Sequence, residues 1–230
     1  MLQNLLSLPL PLKTAFRGYF CTNKLCMSKK KMFYIGFFIV LVVGFYFALS
    51  ALIPDFNKKR FPPISYVRPF SFRNQDGQPV TDKDVAGKVY VAEYFFTTCQ
   101  GICPQMNNNM KQVYAAFRDE KDFLILSHTC NPSTDSASRL KAYSDSLGVD
   151  TKKWIFLTGR KDSLYNMART SYTIDDPANN LKNITEDFLH TQFWALVNRK
   201  GDVVKIYDGL RSAEVKELIR DARRLLEDGD

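Results

Sequence analysis

Histidine is nearly missing from this 230-residue chain, which has only His128 and His190. Chemistry that needs an imidazole therefore has very few candidates. Cysteine is also sparse, at five residues: Cys21, Cys26, Cys99, Cys103 and Cys130. Two of them precede a long apolar run, and the three that follow are too few for a disulfide-stapled scaffold. A close pair plus one odd cysteine points instead to redox or metal chemistry. Acidic residues are absent from the first 31 positions, which carry Lys13, Arg17, Lys24, Lys29, Lys30 and Lys31. Those six charges are most of the formal +8, and the rest of the chain holds 26 basic against 24 acidic residues. The basic balance is thus a membrane flank, and a nucleic-acid face is excluded. No internal repeat or low-complexity tract occurs, and the length suits one domain plus appendages.

What is there begins with an anchor. Residues 32–53, MFYIGFFIVLVVGFYFALSALI, contain no charge. A helix of that length, at about 1.5 Å per residue, crosses a hydrocarbon core of about 30 Å. It has no polar face at helical spacing, as a soluble core helix would, and no small-residue cleavage site, as a signal peptide would. Lys29, Lys30 and Lys31 argue for a cytoplasmic N-terminus, although Lys58, Lys59 and Arg60 make the bias modest. The tail 1–31 contains Met27 followed by SKKK, and translation is expected to begin there, which removes Cys21 and Cys26. Residues 54–69 are rich in proline and charge and read as a stalk before a domain over 70–230.

In the domain, a turn falls at Asp76-Gly77, and Val89–Phe96 is predicted as a buried central strand. Proline favours the start of a helix, so Pro104 predicts a helix to about Arg118 with Cys103 at its mouth. Further strands are predicted over Phe123–His128 and Trp154–Leu157, with helices over Asp135–Leu147, ending at Gly148, and Asp162–Arg169. Phe193–Val197 and Val203–Tyr207 form a hairpin, followed by an amphipathic helix over about Ser212–Leu226. The order predicts an α/β, thioredoxin-like sandwich with an insertion.

Cys99-Gln100-Gly101-Ile102-Cys103-Pro104 places two thiols in a strand-to-helix turn. A helix N-terminus offers free N–H groups and partial positive charge, so both sulfurs are expected to ionise below the free value of about 8.5. Gly101 lets the loop fold back so that the sulfurs converge. Two buried structural cysteines are the bland alternative. Three intervening residues leave more room around one metal ion than the two-residue spacer suited to disulfide exchange. Thiolates prefer Cu(I) or zinc and an added imidazole admits Cu(II), so spacing alone does not exclude zinc.

His190 immediately precedes the strand Thr191–Val197. A lone histidine is more often a surface or core residue, but in a thioredoxin-like layout the loop entering this strand faces the dithiol. His190 is therefore the expected third ligand. His128 is read as a strand-end polar residue near the same crevice, and Cys130 as a small, partly buried residue, with a third sulfur near the site as the minority reading. Met106 is read as packing rather than as a thioether ligand. The glycosylation-like triplet Asn183-Ile184-Thr185 carries no weight.

Gly77 with Lys88, Phe95-Phe96-Thr97-Thr98-Cys99, Ile102-Cys103-Pro104, Pro132 with Asp135, Leu157-Thr158-Gly159 and His190 together resemble the Sco/SenC copper chaperones, over roughly residues 64–226. The resemblance implies a thioredoxin fold binding one copper ion, Cu(I) or Cu(II), through Cys99, Cys103 and His190. It implies delivery of copper to the binuclear centre of cytochrome c oxidase subunit II, or to another copper or thiol partner, without turnover. Alternatively Cys99 and Cys103 are a redox-active dithiol that reduces the partner's cysteines, as in a thiol–disulfide oxidoreductase. The implied location is a single-pass inner-membrane protein whose soluble domain lies on the periplasmic or intermembrane-space side. Asn131-Pro132 departs from the family's Asp-Pro, and the loop Thr173–Asp187 is individual to this chain.

Overall fold

The computed structural model describes residues 29–52, 61–175, 188–189 and 191–227. Cys21, Cys26, Met27, the first part of the expected stalk, Asn183-Ile184-Thr185 and His190 lie outside the described residues. The chain divides into two compact units, Met1–Lys59 and Arg60–Asp230. In the first, helix α1 (Lys29–Leu52) has no buried residue and is long and apolar enough to cross a membrane. It covers the expected span apart from Ile53, which lies outside the described residues.

The second unit is an α/β sandwich. Its strands are β1 (Ser65–Tyr66), β2 (Ser71–Asn74), β3 (Pro79–Thr81), β4 (Val89–Phe95), β5 (Phe123–Thr129), β6 (Trp154–Thr158), β7 (Phe193–Val197) and β8 (Asp202–Asp208). They form one sheet in the order β1-β8-β7-β4-β5-β6-β2-β3. The helices are α2 (Asp82–Val85), α3 (Cys103–Phe117), α4 (Ala137–Leu147), α5 (Lys161–Thr170) and α6 (Ser212–Glu227). Strand β4 is central, parallel to β5 and antiparallel to β7. Its side chains alternate between two cores, which is why the whole run is apolar or buried. Val89, Val91 and Phe95 join Met106, Met110 and Val113 of α3 and Val215, Leu218 and Ala222 of α6. Tyr90, Ala92 and Tyr94 join Leu164, Tyr165 and Ala168 of α5.

The structure differs from expectation at two places. The stalk reading of 54–69 fails at its end, because Ser65 and Tyr66 pair with Val203 and Asp202 and extend the sheet. Alternation is not visible in a two-residue strand. Helix α4 begins after Asp135, since Ser136 caps it by accepting the Arg139 N–H. At the other end Gly148 takes φ 68° and closes the helix as predicted.

One close approach predicts a stability defect. A Cβ at Gly209 would lie 2.4 to 2.7 Å from indole atoms of the fully buried Trp194. Gly209→Ala is expected to destabilise the domain by about 1–3 kcal/mol, read as a lower urea midpoint at unchanged slope.

Candidate metal centre

The site grows from the end of β4. After Phe95 the chain leaves the sheet, and the Cys99 N–H donates to the Phe96 carbonyl at 3.2 Å in a tight turn. Helix α3 then starts at Cys103, with Pro104 in its first turn. Cys99 is half-buried, whereas Cys103 is 5% exposed and belongs to the core beneath α3. The two sulfurs are hydrogen-bonded and are not equivalent. Burial works against ionisation at Cys99. It is outweighed by hydrogen bonds from the Cys103 thiol and from the backbone N–H groups of Cys103, Gly101 and Ile102, which hold its pKa below the ordinary value. At Cys103 burial, the hydrogen bond to Cys99 and the nearby charges of Cys99 and Glu93 push the thiol up to about 12.

The expectation that both sulfurs ionise easily is therefore corrected. The helix mouth has one thiolate position, Cys99, and the second thiol donates to it from the core. At pH 7 iodoacetamide is expected to label Cys99 at least about tenfold faster than Cys103, because the thiolate is the nucleophile. Peptide mass spectrometry after brief exposure measures this, and equal labelling would remove the asymmetry.

Among the described residues, no group of three or more His, Cys, Asp and Glu side chains is arranged to hold a metal ion. The chain neighbours of His190 are nevertheless tied to the root of the dithiol loop. The Phe188 ring packs edge-on against Phe96 at 5.3 Å. The Leu189 N–H donates to the Tyr165 hydroxyl at 3.2 Å, and that hydroxyl donates to the Cys130 carbonyl at 2.8 Å. The Cys130 N–H in turn donates to the Phe95 carbonyl at 2.7 Å.

The SCO1/SenC family model matches residues 59–227. The chain belongs to the SCO1/SenC family. It is 30% identical to the SCO1 protein homolog of Bacillus subtilis over 166 residues, covering 70% of this chain and 83% of the relative. Its fold matches the solved structure of BsSco, a member of the Sco family of cytochrome c oxidase assembly proteins in which a disulfide switch was identified. That match has TM-score 0.60 and 28% identity over 72% of this chain and 96% of that one. ScoI of Arabidopsis thaliana, solved with copper bound, shares the fold at TM-score 0.56 and 23% identity, covering 71% of this chain and 99% of that one. The thioredoxin-like α/β architecture expected from the sequence is thus that of its family.

In this SCO1/SenC chain the remaining candidates, His128, Cys130 and Met106, are all buried. His128 is fully buried, stacked on Tyr94 at 5.0 Å and flanked edge-on by Phe72 and Tyr172. It faces the α5 side of the sheet, opposite Cys103, so the reading of a strand-end residue near the crevice is corrected. Burial lowers its pKa to about 4. Cys130 is 2% exposed rather than partly buried and lies in the same α5-side core. Burial, reinforced by the charges of Cys103, Asp135 and Cys99, holds its thiol well above the ordinary range. Met106 packs in the α3 core.

Sequence reasoning missed Glu93. It is 1% exposed and accepts the Ser127 hydroxyl at 2.5 Å, and Ser127 receives the Trp154 indole N–H at 2.7 Å. Burial, only partly offset by the Ser127 bond, raises its pKa to about 7. The available signal was one acid inside an otherwise apolar and aromatic strand.

Proposed function

We propose that this protein is a membrane-anchored carrier of one copper ion, held as cargo by Cys99, Cys103 and His190, that serves assembly of the binuclear copper centre of cytochrome c oxidase. The observation that carries this reading is the unequal sulfur pair at the mouth of α3. Cys99 is accessible and predisposed to the thiolate form, and Cys103 sits within hydrogen-bond reach to complete a soft donor pair. Soft thiolates with one imidazole suit Cu(I) and admit Cu(II). Family membership, the oxidase-assembly role of the BsSco family and a copper-bound protein of the same fold support the choice of copper.

Binding starts at Cys99 and is completed when Cys103 gives up its proton. Release follows by ligand exchange, because a half-buried cysteine leaves one flank of the ion open to a partner's thiolates. The partner proposed is cytochrome c oxidase subunit II. The anchor over 32–53 and the lysines before it support a domain on the periplasmic or intermembrane-space side.

A second reading is favoured by the same asymmetry. A low-pKa Cys99 with a protonated Cys103 behind it is the arrangement of an attacking and a resolving thiol, and the disulfide switch of BsSco supports it. Metal analysis of protein purified in the reduced state separates the two. Stoichiometric copper supports the carrier, whereas metal-free protein that reduces a partner's disulfide supports the oxidoreductase.

A further inference from the structure

We propose that Asp135 is a positioning residue for the sulfur site, acting through Thr97 to hold the Cys99 loop in its ligand-ready shape. Asp135 is fully buried at the start of the loop's supporting wall, between β5 and α4. Its carboxylate gathers three donors. The Thr97 N–H reaches Oδ2 at 3.1 Å, the Thr97 hydroxyl reaches Oδ1 at 2.5 Å, and the Thr129 hydroxyl reaches Oδ2 at 2.6 Å. Arg139, in the first turn of α4, donates from Nε to the Thr97 hydroxyl at 2.7 Å and lies 3.9 Å from Asp135 Oδ1. The wall is itself fixed, since the Asp135 N–H donates to the Asn131 carbonyl at 2.9 Å, and the Asn131 N–H donates to the Thr129 hydroxyl at the same distance.

Thr97 stands two residues before Cys99 and is therefore bound at both its backbone and its hydroxyl to one carboxylate. A fully buried carboxyl group is tolerated only where hydrogen-bond partners satisfy it, so these donors hold Thr97 and Asp135 together. The consequence falls on the sulfur. The backbone N–H groups of Gly101, Ile102 and Cys103 meet Cys99 only while the loop between β4 and α3 keeps its course. The α3 helix fixes the far end of that loop, and Asp135 fixes the near end. Partners one layer behind metal ligands commonly change metal affinity by about 10–100-fold. This inference rests on the copper reading above, and it adds a residue that touches neither sulfur in any hydrogen bond described.

The test uses the full chain in detergent, with Cu(I) affinity measured by competition against a chromophoric chelator and the thermal midpoint recorded alongside. Thr97→Val removes the hydroxyl and keeps the shape, whereas Thr97→Ser restores it. Thr97→Val and Asp135→Ala are expected to weaken Cu(I) binding about 10–100-fold, with Thr97→Ser matching the parent. Parental affinity in Thr97→Val overturns the proposal. So does a loss in Thr97→Ser equal to that in Thr97→Val, or an affinity loss matched by loss of folded protein. If the parent takes up no copper, the carrier reading fails separately, and the dithiol midpoint in a glutathione redox series then decides. A midpoint moved by valine but not by serine supports the clamp, and one unmoved by both overturns it.

Discussion

Copper titration of Cys103→Ser is expected to show loss of tight binding, and His190→Ala should weaken binding by more than about a hundredfold. The magnitude follows from a comparison: partners behind the ligands are already worth about 10–100-fold, so a ligand itself should exceed that. A serine hydroxyl is a hard donor that a soft ion does not replace its thiolate with. Cys99→Ser should be at least as severe, since it removes the sulfur held below the ordinary thiol range by its hydrogen bonds. X-ray absorption on the loaded parent should count two sulfurs and one imidazole nitrogen, and His190→Ala should lose the nitrogen alone. Unchanged affinity in His190→Ala would remove the imidazole from the site and leave a dithiol with redox chemistry only.

Glu93→Gln is expected to change the pH dependence of folding. The folded chain holds the Glu93 proton up to about 7 because of burial, whereas an exposed glutamate releases it near 4.5. Stability from this group is therefore complete below 4.5 and is lost as pH rises toward 7. A tenfold change in proton affinity is about 1.4 kcal/mol, so the loss approaches about 3 kcal/mol above pH 7. Glutamine carries no such penalty. Urea unfolding of reduced, metal-free protein should show the variant gaining on the parent by about that amount between pH 4.5 and 8. His128 works in the opposite sense, because its pKa falls from 6.5 to about 4 and its penalty grows as pH drops through that window. The parent's profile should thus be nearly flat where the two overlap, and the variant should show the rising limb of His128 alone. A variant-to-parent difference that is constant with pH would show that Glu93 does not titrate as the buried acid described.

The main elements were legible because each has a local cause. Pro104 and the apolar run before Cys99 mark a strand-to-helix junction, and Gly148 marks the end of α4 through a backbone angle that suits glycine. The segment that became β1 was not legible. Its pairing with β8 is made across more than 130 positions and leaves no periodicity in two residues. The side on which His128 points was missed for a related reason. Alternation predicts two faces, but only the packing of α5 against one and α3 against the other says which face carries the sulfurs.

Sequence alone determined that a charge-free apolar run precedes an α/β domain and that two cysteines bracket the mouth of a helix. These follow from composition and short-range geometry. Tertiary structure alone decided that the two sulfurs differ, because burial depth and backbone donors act on Cys99 and Cys103 in opposite directions. It also decided that Glu93 and His128 are enclosed on opposite faces of the sheet, and that Asp135 reaches back across 38 positions to Thr97. Solvation and long-range hydrogen bonding depend on which residues meet in space, and neighbours in sequence do not encode that.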